Sequence, residues 1–174
     1  MSSKPKQRGA VAIEFAAIFL LFFALVYGSI AFGLPAVARL SFQHHAVEAS
    51  RAALRVDPFV EQGVFLNRVG LQIDNLITSS WIPEGWRDGC TDLGEGESED
   101  EPAKWTALPG TVYGYWRPEP NALPNANPRY QVNVCIQASE PIVPQLVIGS
   151  DLRFPPYTDN TGRSWVRGYT IITL

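Results

Sequence analysis

From Ala10 to Ala38 the chain is apolar almost without interruption. Glu14 is the single ionisable residue in the run, and Phe15 to Ala38 gives 24 uncharged residues in a row. About 20 apolar residues rising 1.5 Å each cross a bilayer as a helix. The pattern therefore predicts one transmembrane helix over residues 10–38. Past Pro35 the helical character persists, with Leu40, Val47 and Leu54 recurring every seven residues. This predicts an amphipathic stalk over 39–57 that continues the membrane helix outward. A bend is expected at Gly33-Leu34-Pro35, because proline lacks the backbone donor and clashes with the preceding turn. Asp57-Pro58 reads as the end of the stalk and the start of a second helix, with aspartate as N-cap and proline in the first turn. The apolar face of that helix is read as Phe59, Leu66, Val69, Ile73 and Leu76 or Ile77. Gly63 and Gly70 oppose it by about 1 kcal/mol each relative to alanine.

Beyond the second helix the period changes. Residues 82–128 are rich in Pro, Gly, Trp and acid, which predicts loops around one short strand, Thr111 to Trp116, ended by Pro118 and Pro120. From Tyr130 to Ser139 apolar residues alternate with polar ones: Tyr130, Val132, Val134, Ile136 and Ala138 against Gln131, Asn133, Cys135, Gln137 and Ser139. That is a strand with one buried and one polar face. Leu146 to Gly149 reads as a short helix end or strand, and Ser164 to Leu174 as a terminal strand. The class is α+β: a long N-terminal helix whose stalk packs on a small antiparallel sheet, with residues 1–9 as a basic leader and 58–174 as a single outer domain.

Charge gives the helix a direction. Lys4, Lys6 and Arg8 flank it on the N-terminal side, and short basic flanks remain cytoplasmic; Arg39 on the other flank weighs less. Residues 40–174 are thus expected outside the cytoplasm. They hold ten basic and sixteen acidic residues, a net of −6 within a whole-chain −3, which excludes a surface built to neutralise nucleic-acid phosphates. The two cysteines, Cys90 and Cys135, both fall in this outer part, where an oxidising compartment favours one disulfide over two buried thiols. The triplet Ala36-Val37-Ala38 has the form of a signal-peptidase site, but the apolar run is nearly twice a signal h-region, and a retained anchor is the expectation.

The N-terminal flank carries the most specific motif. Gly9-Ala10-Val11-Ala12-Ile13-Glu14-Phe15, set between basic residues and a spanning helix, is similar to the processing site of type IV prepilins. With the Ala46-Val47-Glu48-Ala49-Ser50-Arg51-Ala52-Ala53 stretch, the first 56 residues or so resemble the TadE-like minor pseudopilins of tight-adherence (Flp-type) pilus systems. The resemblance implies a bacterial inner-membrane protein cut by a prepilin peptidase between Gly9 and Ala10. It implies partners among other pilins or pseudopilins and the assembly platform, with Glu14 and Phe15 in registration and assembly. An intramembrane carboxylate costs a few kcal/mol and ordinarily has a partner; the new Ala10 ammonium would be that partner. The bland alternative has the Glu14 carboxylate snorkelling to interfacial water.

Other candidates are weaker. His44 and Glu48 lie one helical turn apart beside His45, too few ligands for a metal site, and no cofactor is expected. No HExxH, CxxC, GxSxG or P-loop pattern occurs, and an enzyme is not expected. The acidic residues Asp92, Glu95, Glu97, Glu99, Asp100 and Glu101 lack EF-hand spacing and read as a solvated loop. Trp81, Trp86, Trp105, Trp116 and Trp165 suit a β-rich core better than a glycan platform. The alternative to a pilus subunit is a signal-anchored binding module for glycan or calcium.

Overall fold

The computed structural model describes residues 8–90, 105–119, 129–148, 152–154, 158, 164 and 166–174. Helix α1 spans Arg8–Ala53, 46 residues with Pro35 inside it. The expected bend at Gly33-Leu34-Pro35 does not interrupt it: the segment stays helical from membrane run to stalk. Helix α2 follows over Gln62–Thr78. A 3₁₀ turn at Glu84–Trp86 leads into β1 (Asp88–Gly89), and then β2 (Thr106–Ala107), β3 (Gly114–Pro118), β4 (Tyr130–Gln137), β5 (Leu146–Ile148), β6 (Leu152–Phe154) and β7 (Arg167–Thr173). The architecture is α+β, as the sequence predicts.

Strand β4 organises the sheet. β7 pairs with it antiparallel along one edge, from Gln131↔Thr173 to Gln137↔Arg167. β3 and β1 share its other edge, pairing at Val134↔Gly114 and Ile136↔Gly89, and β2 extends the sheet beyond β3. β5 and β6 form a separate two-stranded ribbon. The alternation read in Tyr130–Ser139 places Val132, Val134, Ile136 and Ala138 in the core. The other face differs from expectation: Asn133 and Cys135 are buried too. Part of its cover is a disulfide joining Cys90, next to β1, to Cys135, with 5.7 Å between their Cα atoms. The Tyr115 hydroxyl donates to the Cys90 carbonyl on the same side. Closing a loop with a sequence separation of 45 removes roughly 4 kcal/mol of unfolded-chain entropy in the chain-entropy account.

Helix α1 packs on β7, β4 and α2, but not through the heptad read from the sequence. Leu40 is 72% exposed and Leu54 57%. The buried stripe is Ala38, Phe42, Ala46, Ala49 and Ala53, spaced by four and three. Phe42 lies two residues past Leu40, about 200° round the helix, so choosing one stripe turns the other to the outside. Small side chains let the backbones meet. A Cβ on Gly168 of β7 would fall 2.3 Å from the Phe42 carbonyl carbon and 2.3 Å from the Gln43 nitrogen, so only glycine fits there. The Gln43 side-chain amide donates to the Tyr169 carbonyl (2.9 Å) and its oxygen accepts from the Tyr169 N–H (3.2 Å). One glutamine thereby occupies the outer edge of β7 as a neighbouring strand would.

Helix α2 begins later than Asp57-Pro58 suggests. The Asp57 carboxylate accepts from the Phe59 N–H at 2.9 Å, forming a local turn, and the helix is capped at Glu61. Phe59 thus precedes the helix and is 92% exposed, while Phe65 joins Leu66, Val69, Ile73 and Ile77 in the core. Gly70 has a packing reason: a Cβ there would fall 2.0 Å from the Pro109 carbonyl oxygen. At the far end one guanidinium nitrogen of Arg87 donates to the Ile77, Thr78 and Ile82 carbonyls, completing the helix C-terminus. The expected strand from Thr111 starts instead at Gly114 and runs through Pro118.

Gly168→Ala should lower the unfolding free energy of the full-length protein in detergent by on the order of 1–3 kcal/mol, read from urea titration. Gly63→Ala, at a helical position with open space around it, should leave it unchanged or slightly raised. Burial holds the Tyr113 hydroxyl neutral to higher pH than a free tyrosine, Asp74 and Asp88 adding to this and Arg87 opposing it. Its stabilising contribution is complete below the ordinary tyrosine pKa of about 10 and is lost as pH rises through the raised value. Alkaline titration of stability should therefore fall less steeply in Tyr113→Phe.

Candidate functional site

The candidate site is the lower half of α1. Every residue from Val11 to Val26 is exposed, fifteen apolar or small residues and one carboxylate over about 24 Å of helix. Among the described residues this is the one helix long and apolar enough to cross a membrane. A soluble domain does not leave such a surface in water.

Contact with the outer domain begins at Tyr27. Its hydroxyl donates to the Pro144 carbonyl at 3.1 Å across 117 residues of sequence. One turn on, Ala31 is fully buried, and Ala38 is buried further up. The rest of the chain thus already covers part of the helix from Tyr27 upward. Within the exposed segment Phe15, Phe19, Phe23 and Tyr27 stack at successive i, i+4 positions, with ring centroids 6.2, 6.5 and 6.3 Å apart. The sequence reading singled out Phe15 alone, although the spacing of four was there to find. The ladder leads from Phe15, beside Glu14, to the first contact with the domain. Ser29 donates its hydroxyl to the Leu25 carbonyl at 2.8 Å, so this polar group needs no outside partner.

Gly9 and Ala10 lie in the first turn of α1, which starts at Arg8. The first four N–H groups of a helix have no intrahelical acceptor, so unwinding the chain around the Gly9–Ala10 bond breaks few hydrogen bonds. Glu14 is exposed, one turn above Ala10, and among the described side chains no cation lies within ion-pair distance of its carboxylate. Lys4, Lys6 and the Arg8 side chain lie outside what the structure describes.

The remaining candidates resolve as follows. His44 Nε2 and His45 Nδ1 lie 3.5 and 3.6 Å from the two Glu48 oxygens. Among the described residues no group of three metal-binding side chains converges. Trp86 and Trp116 pack against the core, Trp116 edge-on to Tyr130. Trp105 lies under the Arg117 guanidinium at 4.4 Å, whereas Trp81 is exposed. Trp165 and the acidic segment 92–101 lie outside the described residues.

No curated protein and no solved structure matches the chain. A family model described as TadE-like protein matches residues 9–51. The match opens at Gly9, takes in Glu14, the exposed apolar segment and the alanine stripe as far as Ala49, and ends two residues before α1 does. Helix α1 is thus the part of this chain that is similar to the TadE-like family.

Proposed function

We propose that this chain is a pseudopilin-like structural subunit, without catalytic activity of its own, required for assembly or export of a tight-adherence pilus. The observation that carries the reading is the TadE-like match opening at Gly9 on a helix whose residues from Val11 to Val26 are all exposed. In this reading the helix is a single inner-membrane span, with residues 1–9 cytoplasmic and the disulfide-bonded domain on the other side.

A membrane prepilin peptidase cuts between Gly9 and Ala10. The cut removes Lys4, Lys6 and Arg8, the charges that hold the leader at the cytoplasmic face, and leaves an α-ammonium on Ala10. That ammonium sits at the positive end of the helix dipole, where it is disfavoured. Glu14, one turn away, offsets it within the same chain or across to a neighbouring subunit. The carboxylate thus registers subunits against one another instead of catalysing a reaction, because a mismatched register leaves a charge unpaired in hydrocarbon.

Mass-spectrometric determination of the N-terminus in cells containing the peptidase should give Ala10, and an intact Met1 or Ser2 terminus would count against processing. Glu14→Gln should still be cut, since the scissile bond is untouched, but should reduce surface pili by tenfold or more on electron-microscopic counting. Wild-type piliation in that variant would remove the registration role.

A further inference from the structure

The ribbon of β5 and β6 stands apart from the main sheet, and five of its six residues are apolar: Leu146, Val147, Ile148, Leu152 and Phe154. Two strands alone are marginal in water. Val147, at the middle of β5, is 63% exposed. Its register partner is Arg153, the one cation in the two strands, while Leu146↔Phe154 and Ile148↔Leu152 are the flanking pairs.

The height of this ribbon along α1 is set by the Tyr27 hydrogen bond to Pro144, two residues before β5. Tyr27 stands 17 residues above Ala10, about 26 Å along the axis, and the hydrocarbon core is about 30 Å thick. A span beginning at Ala10 therefore leaves the hydrocarbon within a turn of Tyr27, a residue type favoured at that boundary. Strands of three residues are about 10 Å long, so β5 and β6 remain close to this level whichever way they run.

From this height and composition we propose that the β5–β6 ribbon is a second membrane contact, lying in the interface of the outer leaflet beside α1. Val147 turns outward from the middle of β5, and the make-up of the ribbon, five apolar residues and one arginine, suits the boundary between acyl chains and phosphates. The outer domain is thereby tied to the bilayer at two places, and its tilt on the helix is restricted. The inference rests on the span and not on a role in a pilus.

The test uses the full-length protein with its disulfide intact, reconstituted in phosphatidylcholine–phosphatidylglycerol vesicles. An environment-sensitive fluorophore is placed by Val147→Cys, with Leu54→Cys and Phe19→Cys as aqueous and lipid references. At position 147 a spin-labelled lipid with its nitroxide near the headgroup should quench at least half of the emission, and aqueous iodide should quench severalfold less than at position 54. Quenching by iodide equal to that at position 54 would overturn the proposal. So would protection from iodide without quenching by lipid, because protein and not lipid would then cover the ribbon. If Val147→Cys alters the far-ultraviolet circular dichroism of the protein, Arg153→Cys on the paired strand reads the same contact.

Discussion

A single unbroken helix in this protein must satisfy two solvents, and the rest of the structure follows from where one gives way to the other. Below Tyr27 the described side chains of helix α1 are exposed, and they suit hydrocarbon. Above it the same helix becomes a wall of the outer domain's core. The change is carried by side-chain size. Large apolar residues fill the lower segment, and alanines, with Phe42 between them, form the buried stripe of the upper one. Lipid accommodates bulk at any angle, whereas a sheet that must approach at close range needs small residues on the facing helix and none at all at Gly168.

That close approach makes the domain a rigid extension of the span. β7 is held between β4 on one side and the Gln43 amide on the other, so the sheet takes its position from a residue on the helix. β4 in turn carries the disulfide to Cys90, which fixes the segment after α2 to the sheet centre. Displacement of α1 is thus passed through β7 and β4 to the far edge by a chain of covalent and hydrogen bonds. For a subunit extracted from a membrane or packed beside its neighbours, such coupling makes the span a handle on the whole domain.

Electrostatics divide in the same way. Glu14 is exposed in a stretch that otherwise has no polar demand beyond Ser29, which satisfies itself. The Arg87 guanidinium, by contrast, does a structural task, closing the end of α2.

The sequence by itself determined the elements whose cause is local or one-dimensional. Hydrophobic run length specifies the span, period-two alternation specifies β4, and two cysteines on one side of a membrane specify their bond. The likeness to the TadE-like family over residues 9–51 was legible for the same reason, since it depends on composition and spacing along one helix. What only tertiary structure decided is which of two apolar stripes on α1 turns inward. Leucines at 40 and 54 outrank alanines in hydrophobicity, yet the sheet selects the alanines because backbone proximity at Gly168 excludes bulk. Likewise Phe59 lost its place to Phe65 when Asp57 turned the chain locally, and Asn133 and Cys135 were buried by strands and a disulfide from distant sequence. The level at which the domain meets the helix, marked by Tyr27 on Pro144, depends on a contact across 117 residues, and no periodicity within either segment encodes a distance between them.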